Sequence, residues 1–493
     1  MINLEQYKKI CIACDKILNT ASDNDEIISI PILHVIREHP EFLKKYGFIY
    51  STARRLKYRY RFKSILNKIS SQVQSIFFDY KINNDSLNFD QNSRNLIIIS
   101  HITNPIQCNN HDDMYFGTLH NDLLKFSNIN PIILLINHTS MSSKELTRRF
   151  SKNKIDRIVL PKSSDLINEL KTFFRLLSSI YRFTKTIKVN DSITSSILDS
   201  IKKPSQFLKG MSVLRVGFFI EKIVQASNAK YIINTYEGHA SERIIFSRAR
   251  QANDKILCFA YQNSTLNKYH HSLTRSIHKK YNPDHIFCCG NITKKILSKS
   301  ESLNGIETSV LGSPQRNAMQ VVRKKIDCTK SLTFLFLPEA FNTEYKIFFD
   351  FILNCADAFP NYKFIWRSHP ALNLKKLDLF QNKIMPSNII ISSSSFNKDL
   401  NISDIAIYRG TTAIIKAVMS NLIPIYLKTK EEIGIDIMHD LNISRIYSAS
   451  ELHSEIQNSN LLKQRENNLK FCEDYFKPLN YKLFIRVANQ YIS

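Results

Sequence analysis

Glycine is scarce in this chain of 493 residues, with 10 occurrences, against the roughly 7% of an average protein. No G-x-G-x-x-G and no G-x-x-x-x-G-K-[ST] run is present, which disfavours both a nicotinamide or flavin dinucleotide fold and a P-loop phosphotransferase. Long apolar runs are missing as well. Runs such as 96–99 and 132–136 are strand-sized, far short of the roughly 20 residues that cross a bilayer. The first residues, MINLEQYKKICIACDKIL, carry charges inside any would-be apolar core, so they do not read as a signal peptide. The expected location is the cytoplasm. The nine cysteines are odd in number and irregular in spacing, a pattern of reduced thiols rather than a disulfide framework. Cys11 and Cys14 form one C-x-x-C with no second pair and no nearby histidine, which argues against zinc.

What is abundant is positive charge. The formal net charge is +25, which implies a polyanionic partner such as an acidic membrane leaflet, a negatively charged substrate or nucleic acid. Residues 54–63, RRLKYRYRFK, concentrate six basic side chains with Tyr58, Tyr60 and Phe62 between them. That mixture suits a lipid headgroup surface or base stacking, or simply a solvated basic face. No nucleic-acid-binding signature accompanies it, so no specific nucleic acid is expected as partner.

Residues 1–90 read as a polar, basic, helical extension. From 95 onward short apolar strands alternate with amphipathic segments, the texture of α/β units on parallel sheets. Strands are predicted at 96–100, 131–136, 158–160, 230–235, 256–261 and 285–288, with helices at 165–187 and 240–251. After a basic linker at 317–330 the alternation restarts, with strands at 332–337, 363–367, 388–392, 404–408 and 423–427 and a helix at 342–359. The predicted organisation is therefore an extension (1–90), a first Rossmann-like domain (91–316), the linker, a second Rossmann-like domain (331–465) and a helical tail (466–493) that folds back.

With so few glycines, each is expected where backbone geometry demands it. Gly238, Gly290 and Gly410 follow predicted strands, and Gly312 is read with them, at the edge where open α/β sheets bind ligands. In the first domain, YIINTYEG ends on Glu237 and Gly238, followed by His239 and a helix opening with Ser241 and Glu242. A carboxylate there can accept a proton or attack as a nucleophile; a helix-capping acid is the plain alternative, and it suits Glu242 better than Glu237. In the second domain, KFIWRSHPAL ends a strand on Arg367, Ser368 and His369, and Pro370 holds the histidine in an extended conformation. A solvated strand end is again the plain alternative. Nearby in the pattern, DIAIYRGTT leads from a strand through Arg409 and Gly410 to Thr411 and Thr412 at a helix start, a grouping suited to a phosphate.

Taken together, these features resemble the bacterial GT-B glycosyltransferases that use CMP-activated 2-keto sugar acids, including Kdo transferases, polysialyltransferases and related nonulosonate transferases. The resemblance rests on the acid-Gly element at Glu237, the WRSHP run, Leu337-Pro-Glu-Ala followed by Glu344, and Ile407-Tyr-Arg-Gly-Thr-Thr leading to Pro424-Ile-Tyr-Leu. It spans roughly residues 95–430 and implies an α/β GT-B fold of two Rossmann-like domains facing a central cleft. It implies transfer of a sialic, legionaminic, pseudaminic or Kdo-type acid from CMP to a glycan of lipopolysaccharide or capsule. By position, Glu237 and His369 would be catalytic. Arg367, His369, Ser392, Ser393, Arg409, Gly410, Thr411, Thr412 and Glu339 would bind the donor. His239, Asp112 and Asp113 would meet a lipid-linked or oligosaccharide acceptor. Tyr236 departs from the family's acid-acid-Gly motif, which leaves Glu242, Glu339 or Glu344 as possible partners of Glu237. No acidic D-x-D pair stands beside these residues, so no metal and no separate cofactor are expected, the CMP-sugar being a substrate. A UDP- or GDP-sugar donor, or a CDP-polyol phosphotransferase, would use the same architecture; a nucleic-acid-binding protein is the non-enzymatic alternative. The basic stretch 54–63 would hold the enzyme peripherally on the anionic inner membrane surface.

Overall fold

The computed structural model describes residues 2–35, 37–50, 89, 93–150, 157–317, 331–370, 372, 385–430, 432–457 and 464–491. The basic stretch 54–63 and residues 318–330 of the expected linker lie outside them.

Two parallel sheets organise the chain. The first contains β1 (Arg94–Ile102), β2 (Ile129–Asn137), β3 (Arg157–Val159), β4 (Tyr231–Thr235), β5 (Leu257–Gln262), β6 (His285–Cys288) and β7 (Glu307–Val310), in the order β3-β2-β1-β4-β5-β6-β7. The second contains β8 (Thr333–Leu337), β9 (Lys363–Trp366), β10 (Ile389–Ile391), β11 (Ile405–Tyr408), β12 (Ile423–Leu427) and β13 (Ser444–Ile446), in the order β10-β9-β8-β11-β12-β13. Both are the doubly wound order that reverses direction beside the first strand. Two such domains facing one cleft form the GT-B arrangement.

The sequence dictates this layering. In β1 the side chains of Leu96 and Ile98 enter one core and those of Ile97 and Ile99 the opposite one, as alternate residues of a strand must. With helices on both faces each of these side chains is fully buried, worth about 2 kcal/mol apiece. Hence the run shows no polar alternation. In β8, Phe334 and Phe336 point one way and Leu335 and Leu337 the other. The strands that reading the sequence passed over are β7 and β13, short outermost strands with weak apolar content.

The N-terminal extension is helical where described, with Leu4–Ala21 the longest piece. Its apolar face joins a core built with the helices Leu166–Thr186, Ser192–Ile201 and Pro204–Ser227. At the other end, helix Arg465–Tyr475 packs on the second domain and helix Tyr481–Gln490 on the first, through Phe484, Val487 and Ala488. The chain between them passes so close to Gly290 and Gly312 that a Cβ on either would lie 2.1 Å from a carbonyl oxygen of Tyr475 or Pro478. Those two glycines, expected at a ligand edge, instead admit the returning tail.

Candidate active site in the interdomain cleft

Ligands of open parallel sheets bind beyond the carboxyl ends of the strands, where strand order reverses. That point falls between β1 and β4 in the first sheet and between β8 and β11 in the second.

At the first, the backbone leaves β4 through Tyr236, Glu237, Gly238 and His239 before the helix Ala240–Ala252. Gly238 has φ +84°, and a Cβ there would lie 2.4 Å from the carbonyl oxygen of Ser272, so only glycine fits. Glu242, 3% exposed, turns back so that its carboxylate accepts the N–H groups of Glu237, Gly238 and His239. Burial, aided by the charge of Glu237, pushes the Glu242 carboxyl up to about 7 from an ordinary 4.5, although His239 and these N–H groups favour its charged form.

Glu237 is set differently. Burial alone would raise its carboxyl, but the guanidinium of Arg37 and the imidazole of His239 prevail and hold it well below the usual carboxylate range. Arg37 Nη2 donates to both carboxylate oxygens at 2.8 Å, and His239 Nε2 lies 3.5 Å from Oε2. His239 is raised above its ordinary value, its interactions with Glu237 and Glu242 outweighing burial. Beside this group, His101 at the end of β1 places Nε2 2.9 Å from Thr235 Oγ1 and Nδ1 2.9 Å from Nε2 of His138. Burial, then His138, pushes His101 down to about 3, and burial likewise lowers His138. Both of these imidazoles are thus held below their ordinary value, whereas that of His239 is raised.

At the second reversal point Glu339 follows β8 and lies over Gly410, where a Cβ would come within 2.9 Å of its Oε1. His39 Nε2 sits 2.6 Å from Glu339 Oε2, its ring against Phe341 at 4.7 Å. His369 donates its backbone N–H to Tyr345 Oη at 2.6 Å. Burial lowers its imidazole below the ordinary value, with Glu339 opposing. An approaching phosphate would raise it again.

The two edges are joined by a strap. Arg37, Glu38 and His39 run extended from the first domain to the second: Arg37 holds Glu237, Glu38 Oε1 accepts Tyr269 N–H at 2.6 Å, and His39 holds Glu339. Glu41 then accepts the hydroxyl of Thr343. Glu339 acts electrostatically on both Arg37 and His369, so the strap links the strand end that carries Glu237 to the one that carries His369.

Several residues read from the sequence as direct ligand contacts are committed elsewhere. Arg409 is 1% exposed, with Nε 2.6 Å from Glu344 Oε2, Nη1 3.0 Å from Glu432 and Nη1 donating to Leu427 O at 2.7 Å; it is a core ion pair beneath the cleft. Arg367 and Ser392 both bond Asp399, and Ser393 is exposed. Asp113 accepts Ser100 Oγ and the N–H groups of Tyr115 and Phe116, capping a turn, while Asp112 is exposed. Thr411 is buried and its hydroxyl accepts Ala413 N–H; the helix expected from Thr411 begins at Ala413 and ends at Met419, with Thr412 exposed before it. Arg37, His39, His101 and His138 are the cleft residues that the sequence reading missed. His101 and His138 stand at strand ends, the signal by which they were findable.

Among the described residues no group of three or more His, Cys, Asp or Glu side chains is arranged to hold a metal ion, and no helix is long and apolar enough to cross a membrane.

No family model matches the chain, and neither does any curated protein. Similar solved structures include the glycotransferase of kitacinnamycin, 8% identical over 81% of this chain and 100% of that one, with a TM-score of 0.46. Others are a putative UDP-N-acetylglucosamine 2-epimerase from Listeria monocytogenes, at 11% identity, 80% and 95% coverage and a TM-score of 0.45, and a glycosyltransferase from Rickettsia africae, at 12%, 82% and 99%, and 0.42. Likeness at this level adds nothing to the two-domain architecture read from the strand orders.

Proposed function

We propose that this protein is a glycosyltransferase that takes a 2-keto sugar acid from CMP and joins it to a hydroxyl of a lipid-linked or oligosaccharide acceptor in bacterial surface glycan synthesis. The observation that supports the reading is the strap: it ties Glu237, beside His239, at the end of β4 to Glu339 after β8. Donor identity rests on the WRSHP and acid-Gly motifs. In the second domain His369, near Glu339, and the exposed Thr412 would meet the donor phosphate.

A CMP-linked sugar already carries a good leaving group, so the protein needs chiefly to stabilise charge on the departing phosphate and to accept one proton. In a direct displacement the acceptor oxygen bonds the anomeric carbon, the carbon–oxygen bond to phosphate breaks, and CMP departs with the electron pair. His369 would donate a ring N–H to the departing phosphate oxygen as that charge builds. A carboxylate locked to Arg37 is a weak base, and a good catalytic base has a pKa near the working pH. The proton accordingly goes to His239, and Glu237 stabilises the imidazolium that results.

Thermal-shift measurements with CMP, UDP, GDP and CDP, followed by turnover with a panel of CMP-sugar acids, test this reading. CMP is expected to stabilise the protein, His369→Ala to raise KM, and His239→Gln and Glu237→Gln to lower kcat. Stabilisation by UDP or GDP alone overturns the donor. Unchanged turnover in all three variants overturns the site.

A further inference from the structure

The helix Leu166–Thr186 buries one side only. Glu169, Leu176, Ile180 and Phe183 face the core, whereas Ile167, Phe174 and Tyr181 are 65%, 62% and 59% exposed, and Leu170 and Leu177 stand between them in the open. At about 100° per residue the exposed apolar side chains share roughly 120° of arc. The next stretch of the helix surface carries Lys171, Arg175 and Arg182, and Lys185 lies over the Tyr181 ring at 4.2 Å; all four are exposed, and Arg175 also pairs with Glu26 at 2.7 Å. The one acid of the helix, Glu169, is buried in a pair with Arg215 at 2.6 Å. Most monomeric proteins do not leave so continuous an apolar face to water.

We propose that this face is a docking surface for an anionic lipid bilayer, with the apolar stripe entering the headgroup boundary and the adjoining cations meeting the lipid phosphates. The pattern of an apolar arc bordered by lysine and arginine is that of a helix lying in a membrane interface. Charge decides against a second copy of this chain as occupant: no exposed acid on the helix could answer its cations, so two such faces would repel. A bilayer supplies both the apolar depth and the negative charge that the +25 chain attracts.

Position adds a consequence. The helix opens just beyond β3, where Lys162 donates to the carbonyl of Thr139 at 2.8 Å, next to His138. The stripe thus starts at the sheet edge that carries His101 and Glu237, and docking would set that side of the cleft against the membrane. Binding itself does not depend on the transferase reading and is measured without turnover.

Full-length protein is sedimented with vesicles of phosphatidylcholine alone or mixed with phosphatidylglycerol, at low and high salt, and its oligomeric state is followed by sedimentation velocity. Wild type is expected to bind the anionic vesicles and to be weakened by salt. Phe174→Glu with Tyr181→Glu is expected to lower the bound fraction about tenfold or more, and Lys171→Glu with Arg182→Glu to remove the preference for phosphatidylglycerol. All four positions are exposed, and unchanged melting curves confirm the fold. In a second measurement, Tyr181→Trp is expected to be quenched by brominated lipid. Absence of vesicle binding, equal binding by wild type and the Phe174/Tyr181 variant, or a dimer that this variant dissociates would each overturn the proposal; equal binding would move the contact to residues such as 54–63.

Discussion

One nitrogen of Arg37 bridges both oxygens of Glu237 at 2.8 Å, although the two residues stand 200 positions apart and belong to the N-terminal extension and to the end of β4. The pair shapes the electrostatics of the cleft, because it keeps Glu237 ionised while its neighbours titrate. A carboxyl held below its ordinary value contributes stability that is present above that ordinary value and is lost as pH falls through the folded one. Arg37→Met is therefore expected to cost about 1 kcal/mol at pH 7, a figure reduced for the partial exposure of Arg37. Urea midpoints of wild type and variant should converge as pH is lowered through about 4 and below. A gap that stays constant to the acid limit would contradict the pairing.

Arg409 offers a cleaner separation between a ligand contact and a structural pair. Its guanidinium is buried between Glu344 and Glu432, and removing one member of a buried pair leaves an uncompensated charge at a cost of about 3–5 kcal/mol. Arg409→Met should lower the unfolding free energy by that amount, and adding Glu344→Gln should recover part of it. A variant of normal stability whose only defect is a raised KM for donor would restore Arg409 to the phosphate site.

Gly238→Ala is expected to destabilise the protein by about 2–4 kcal/mol, since the positive φ and the clash with the Ser272 carbonyl both oppose a side chain. Gly47→Ala serves as its control, because nothing lies within 4 Å of the added Cβ. Equal unfolding midpoints for the two variants would show that the loop carrying Glu237 can make room for a side chain at its glycine.

These outcomes bear on what could be read in the chain beforehand. Uniform apolar runs such as 96–99 betray a strand covered on both faces, so the two sheets and their order of appearance were legible. The returns of chain at Glu237, His369 and Gly410 were legible for the same reason, since strand ends locate the ligand edge. The partners of those residues were not. Arg37 and His39 lie in a segment without periodicity, and their contacts with Glu237 and Glu339 are fixed by tertiary packing alone. Arg409 misled because a strand-end arginine before Gly-Thr-Thr suits a phosphate, and its buried acid, Glu344, stands 65 residues upstream with no local sign of the pairing.

Glu242 makes the sharpest pH test. Its carboxyl rises to about 7, so its protonated form is the one the fold favours; the resulting stability is fully present below the ordinary 4.5 and is lost as pH climbs through 7. Glu242→Gln cannot ionise. Relative to this variant, wild type should lose on the order of 1–3 kcal/mol between about pH 5 and pH 8, seen as a falling difference in urea midpoint. The same substitution removes a negative charge that raises His239, so its imidazole should give up its proton at lower pH. If His239 accepts the proton of the incoming hydroxyl, the acid limb of the turnover profile should move to lower pH in Glu242→Gln, with Glu237 left in place. A stability difference that changes with pH while the acid limb stays fixed would keep Glu242 as the cap of its loop and take the proton-accepting role away from His239.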